Sequence, residues 1–113
     1  MAEEKIHFVA EKILSMNHEF DDSYLDLDSG ASIRFDPVSR PSDCDFLLRS
    51  LAAMNHGALI IWHNGGRVSC SLDPNGDTSC LAENRGEAVI DSAYKLLTME
   101  KENEHRKRYR VRF

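Results

Sequence analysis

The chain holds many imidazoles, thiols and carboxylates, but none stands at a spacing that specifies a reaction. Its histidines are His7, His18, His56, His63 and His105. They form no H-E-x-x-H pair, and none shares a zinc-type spacing with Cys44, Cys70 or Cys80. A composite site of His56, His63 and Cys80 would have to be assembled by the fold, because the metal-ligand spacing is missing. The acidic cluster Asp21, Asp22, Asp26 and Asp28 includes an Asp26-x-Asp28-x-Gly30 run that opens like a calcium loop. The position that must supply a bidentate glutamate is Pro37, so the match fails. A second start at Asp73 fails the same way, with Asn84 at that position. Both segments read as turns, which Asp, Asn and Gly favour. Gly65-Gly66 and Gly86 make no phosphate loop, and no G-x-S-x-G elbow is present. These absences lead to the expectation of a non-enzymatic protein that needs no metal and no cofactor.

The other chemistry is electrostatic. Residues 1–100 carry 8 Lys/Arg against 17 Asp/Glu, a net −9, while residues 101–113 carry 6 against 2, a net +4. An acidic body repels phosphate and disfavours general nucleic-acid binding. The basic end reverses that argument through Arg106, Lys107, Arg108, Arg110 and Arg112. From Arg108 to Phe113 charged and apolar residues alternate, with Tyr109, Val111 and Phe113 opposite the arginines. Period-two alternation predicts a strand, and a lone strand must pair with a sheet edge, its own or another chain's; the wholly polar helix end before it carries it away from its own body, which favours the edge of a second copy or of a partner.

Three helices and several short strands must position these groups. Ile6, Val9, Ile13 and Leu14 predict a helix over residues 3–18. Residues 24–27 and 31–35 alternate around an Asp28-Ser29-Gly30 turn and predict a hairpin. After a proline-bearing loop, Ser42 as N-cap and Cys44, Leu47, Leu48 and Leu51 as stripe predict a second helix, closed by Gly57. The apolar run at 58–63, with Trp62, predicts a strand covered on both faces. Asn64-Gly65-Gly66 then turns into an alternating strand at 67–73, and residues 79–82 supply a last short one. Val89, Ile90, Ala93, Leu96 and Leu97 mark a third helix from Gly86 to about Arg106.

The 113 residues suit a single domain, and 42% apolar with 29% charged content is that of a globular chain. The expected organisation is one domain at 1–100 and a basic extension at 101–113. No apolar run approaches a bilayer span, and residues 1–12 lack a signal-like stretch, so the expected location is the cytoplasm. Three cysteines without a C-x-x-C pair suit a reducing compartment.

Four segments together resemble the small phage ABA-sandwich domain proteins: VAEKIL at 9–14, FDPVSRPSD at 35–43 with the helix behind it, the Trp62 strand, and AVIDSA at 88–93. The resemblance covers about residues 3–98. Cys44 and Phe46 stand where that family tends to have alanines, and residues 99–113 are additional. The resemblance implies an α/β (α+β) helix–sheet–helix sandwich with a small central, largely antiparallel sheet and three helices. It also implies a phage or prophage origin, hence the cytoplasm of a bacterial host, and supplies no catalytic residues. The expected function is binding to a host or phage protein, as in inhibition of a bacterial defence system. Asp21, Asp22, Asp26 and Asp28 would present carboxylates to that protein partner. The terminal strand at 108–113 would support a homo-oligomer. The alternative is a nucleotide or nucleic-acid binder using the basic end; no membrane partner is expected.

Overall fold

The computed structural model of the protein describes residues 2–110, with side chains described over residues 3–99. The element order is α1 (Ala2–Leu14), β1 (Met16–Phe20), β2 (Ser23–Asp26), β3 (Ser32–Arg34), α2 (Pro41–Ala53), β4 (Leu59–Trp62), β5 (Val68–Ser71), β6 (Cys80–Ala82) and α3 (Arg85–Arg110). The result is a mixed α+β fold of three helices and antiparallel strands, as the sequence predicts. The strands do not share one central sheet. They form two separate three-stranded meanders, β1-β2-β3 and β4-β5-β6.

The first helix stops before the predicted end at residue 18. Ser15 takes a left-handed backbone (φ 54°), and the chain leaves as β1, where Met16 pairs with Asp26 and His18 with Tyr24. The predicted hairpin is present as β2–β3, and the register closes around Asp28-Ser29-Gly30. Ser29 Oγ donates to the Asp26 carboxylate at 2.7 Å, and the Gly30 amide to the Asp26 carbonyl at 2.8 Å. The carboxylate is therefore used by the turn itself.

Helix α2 begins two residues earlier than predicted. Arg40 is its N-cap, without a side-chain cap bond, and Pro41 fills the first turn, so Ser42 does not cap it. Its C-terminus closes on Asn55 rather than Gly57. Asn55 adopts φ 66°, its amide donates to the Ala52 carbonyl, and the His56 amide reaches back to the Leu51 carbonyl at 2.9 Å. That pair of bonds is a Schellman closure, with asparagine taking the left-handed position. Asn84 caps α3: its side-chain oxygen accepts the Glu87 amide at 2.8 Å.

The core lies between α3 and its neighbours. α3 packs on α1, on α2 and on strands β5 and β6. Val89, Ile90, Ala93 and Leu96 meet Val9 and Ala10 of α1, Leu47 and Leu51 of α2, and Val68 and Cys70 of β5 in one buried cluster. Along β5 the predicted alternation holds, with Val68 and Cys70 buried and Ser69 and Ser71 on the opposite face. Cys44 and Cys70 are buried free thiols; burial pushes both upward in pKa, Cys70 to about 11, so they remain protonated small hydrophobes.

The second calcium-like segment is also a turn. The Asp73 carboxylate accepts the Thr78 hydroxyl at 2.6 Å, the Thr78 amide at 2.8 Å and the Asp77 amide at 3.1 Å. Those bonds, the Thr78 hydroxyl first, hold Asp73 down at about 2. The buried Thr78 hydroxyl accepts the Leu72 amide in turn, tying the turn to the end of β5.

Two expectations fail on exposure and on length. The run at 58–63 is not covered on both faces: Leu59 is 62%, Ile61 46% and Trp62 68% exposed. Of the two edge strands, β6 lies with β5 under α3, whereas β4 is the edge away from it. The basic end does not leave α3 as a strand at Arg108. α3 continues to Arg110, so Arg108, Tyr109 and Arg110 are helical, as are Arg106 and Lys107 before them. A run rich in Glu, Lys and Arg has high helix propensity, and three alternations are too few to override the preceding helical hydrogen bonds. Val111, Arg112 and Phe113 lie outside the described residues.

Candidate functional site

Two surfaces stand out, one polar and one apolar. The polar one is a cleft of about 370 Å³ between the start of α1 and the β1–β2 hairpin. Helix α1 supplies Glu3 and His7, β1 supplies His18, the β1–β2 turn supplies Asp21, and β2 supplies Tyr24 at the base. A register shift between His18 and Phe20 and a left-handed Asp21 (φ 47°) shape that turn. They bring the Asp21 carbonyl within 2.9 Å of His18 Nε2, which donates to it. The His18 ring is thereby fixed and stacks on His7, centroids 3.7 Å apart at 20°. Tyr24 meets both imidazoles edge-on and Phe35 at 80°.

The charges around the cleft are unequally committed. Asp22 holds Arg40 at 3.0 Å, and Arg40 is further pinned by Asp43 at 2.8 Å. Asp36 accepts the Ser39 amide at 3.2 Å. Glu3 and Asp21 form no side-chain ion pair among the described residues. Tyr24 is only 1% exposed and forms the base of the cleft. Burial, and then the negative charges of Asp36, Asp22 and Glu3, push its phenol up to about 12. It is a neutral hydroxyl at every physiological pH.

His7 titrates below its ordinary value, first because it is buried and then because a charged His18 would repel it; Glu3 and Glu4 oppose the shift. A base with a lowered folded pKa binds fewer protons folded than unfolded, so stability is full above the unfolded value near 6.5 and declines below it. The melting temperature should fall between about pH 7 and pH 5. The fall should be smaller in His7→Gln; equal slopes for the two proteins would show that His7 is not its source.

The structure brings Asp21 and Asp22 to this cleft but not Asp26 and Asp28, which belong to the β2–β3 turn. His56, His63 and Cys80 do not assemble; His63 Nε2 meets Ser69 Oγ at 2.9 Å instead. No group of His, Cys, Asp and Glu suited to a metal ion occurs among the described residues. Side chains of Arg106, Lys107, Arg108, Tyr109, Arg110, Val111, Arg112 and Phe113 lie outside the described ones. Sequence reasoning passed over Glu3 and Tyr24 as site residues. The available signal was only the crowding of carboxylates and imidazoles at both ends of the 3–36 segment.

The apolar surface is the outer face and free edge of the second sheet. Register places Ile61 beside Ser69 and Ser69 beside Leu81, with Leu59 beside Ser71 in the next outward row. Leu81 is 53% exposed, so apolar side chains stand on the outer face of β4 and of β6, with Ser69 of β5 between them. Trp62 shares the inward row with the buried Val68 and Ala82, but at the edge its indole projects past the cover. Among the described residues, no helix is long and apolar enough to cross a membrane. No family model, curated protein or solved structure matches the chain.

Proposed function

We propose that the protein is a non-enzymatic binding domain that takes a partner protein on the β4 edge and the outer face of the β4–β5–β6 sheet. The observation that carries this reading is the uncharged, exposed set Leu59, Ile61 and Trp62 on the edge strand β4, with Leu81 exposed on β6 across Ser69. A flat apolar edge is a template for an added strand, and proteins that do not use such an edge blunt it with charge or proline. Residues 59–62 contain neither. An indole at the rim is a common binding anchor. The resemblance to phage ABA-sandwich proteins supports a host or phage protein as the target, and inhibition of a host defence system as the outcome.

The test is a pull-down from bacterial lysate, with and without nuclease, using the native chain and an Ile61→Asp/Leu81→Asp double variant. Both substituted side chains are exposed, so the variant should melt within a few degrees of the native protein, since surface changes are usually within about 0.5 kcal/mol. The expected result is a protein captured with or without nuclease and lost with the double variant. Capture that survives the double substitution would overturn the assigned surface. Capture abolished by nuclease would favour the alternative, a nucleic-acid binder using the basic end of α3.

A further inference from the structure

A sheet edge left unpaired is a template for a further strand unless charge, proline or brevity blunts it. In the first sheet the edge strand β1 carries Glu19 and β3 carries Arg34. In the second, β6 spans three residues, whereas β4 is Leu-Ile-Ile-Trp. The ladder shows which backbone groups of β4 are free. The His63 amide donates to the Arg67 carbonyl at 2.8 Å, and antiparallel strands alternate hydrogen-bonded and non-hydrogen-bonded pairs. Ile61 and Leu59 are therefore the residues that bond to Ser69 and Ser71. The amide and carbonyl of Ile60 and of Trp62 point the other way, out of the free edge. Residues 56–66 contain no Asp, Glu, Lys or Arg, so nothing charged guards that edge.

We propose that β4 pairs antiparallel with β4 of a second copy, about a two-fold axis at Ile61, joining the two β4–β5–β6 sheets into one. The inference rests on the reading of this surface as a binding surface and divides it: the second copy takes the edge, and the outer faces, Leu81 included, serve the target. The register follows from the edge. Opposed side chains must share a face, and a slip of one residue would set the outer row of one copy against the inner row of the other. Centred on Ile61, Ile60 of each copy stands opposite Trp62 of the other, and their outward amides and carbonyls exchange bonds. Aromatic and β-branched side chains are favourable cross-strand pairs. The indole, 68% exposed in one chain, then lies against the half-buried Ile60 of the other. On the outer face the two copies of Ile61 meet at the axis, in the closer, non-hydrogen-bonded spacing. A foreign protein is selected on approach by complementary charge, which this edge does not carry. A second copy needs none, because the two-fold contact is self-complementary and opposes no like charges although the body of the chain is acidic.

Sedimentation equilibrium of the purified full chain tests the contact. A four-residue strand makes a small interface of the weak class. The weight-average mass should therefore rise from one chain toward two between about 1 μM and about 1 mM. Ile61→Lys sets two ammonium groups face to face at the axis and should hold the chain monomeric across that range; Ile61→Asp should do the same with two carboxylates. Mixed in equal amounts, the Ile61→Lys and Ile61→Asp chains should associate, because opposite charges then meet at the axis, a rescue that a misfolded variant could not give. Leu81 stands on β6, away from the β4 edge, so Leu81→Asp should associate like the native chain. A native chain that stays monomeric, an Ile61→Lys protein that still dimerises, or a mixture that fails to associate would each overturn the two-fold contact. A monomeric native chain that still captured a target lost with Leu81→Asp would remove the dimer and leave the proposed function standing. A dimer behaving as expected that captured no protein from lysate would do the reverse.

Discussion

Gly86→Ala should destabilise the domain by about 3 kcal/mol or more, a large share of the stability of a small protein. In an ordinary helix the same change is favourable by about 1 kcal/mol, because alanine is the better helix former. Here the sign reverses for a steric reason. Gly86 sits in the first turn of α3, where the chain passes directly over the 35–41 loop. A Cβ at this position would overlap the Pro37 carbonyl oxygen and lie 2.6 Å from Pro37 C and 2.8 Å from Val38 Cα. All three obstacles are backbone atoms, so no side-chain rotation relieves them. The loop cannot easily retreat: the Asp36 amide donates to the Asp43 carboxylate at 2.8 Å, and Arg40 ties Asp43 to Asp22. Urea unfolding of Gly86→Ala beside Gly57→Ala measures the effect. Gly57 has open space and no left-handed backbone, so its alanine should be neutral or stabilising by up to about 1 kcal/mol. Equal midpoints for Gly86→Ala and the native chain would show that the close crossing is not rigid.

Gly86 also shows where sequence reading stops. As a residue it looked like the start of a helix, and it is one; that it is the contact point between α3 and a loop far away in sequence has no local signature. The same division runs through the fold. The stripes of α1, α2 and α3 and the alternation at Val68 and Cys70 were legible because each element carries its own period. The break at Ser15 was not, because Met16–Phe20 becomes a strand only through pairing with β2, a tertiary effect that propensity does not encode. The run at 59–62 misled for a related reason. Continuous hydrophobicity states that a strand is favourable but not whether another layer lies on it, and no layer covers its outer row. In the cleft, Asp21 and Asp22 stood out as charges and His7 and His18 as separate imidazoles. Their assembly depends on the register of β1 against β2 and on the placement of α1 above it.

The cleft rests on Phe35, and replacing it should produce the second large effect. Phe35 is buried, packs edge-to-face on Tyr24 with centroids 5.9 Å apart, and anchors its own amide to the Asp22 carbonyl at 2.8 Å. Phe35→Ala removes a ring that nothing nearby is free to replace, so the expected loss is about 3–5 kcal/mol, read as a shift in the urea midpoint. Phe35→Leu fills most of the space and should lose less than about 1.5 kcal/mol, leaving a folded protein in which the support of Tyr24 can be examined. The Tyr24 phenol is held up at about 12, against an ordinary 10.0, mainly by burial. Thinning the packing beneath it admits water to the ring, and the phenolate is then less disfavoured. Spectrophotometric titration of Phe35→Leu should therefore show the Tyr24 phenol moving down toward 10. A raised folded pKa in an acid means protons are bound more tightly folded than unfolded, so the native protein should lose stability above about pH 10, and Phe35→Leu should lose less of its own. An unmoved Tyr24 titration in the folded leucine variant would mean that the helix side of the cleft, not Phe35, keeps that hydroxyl dry.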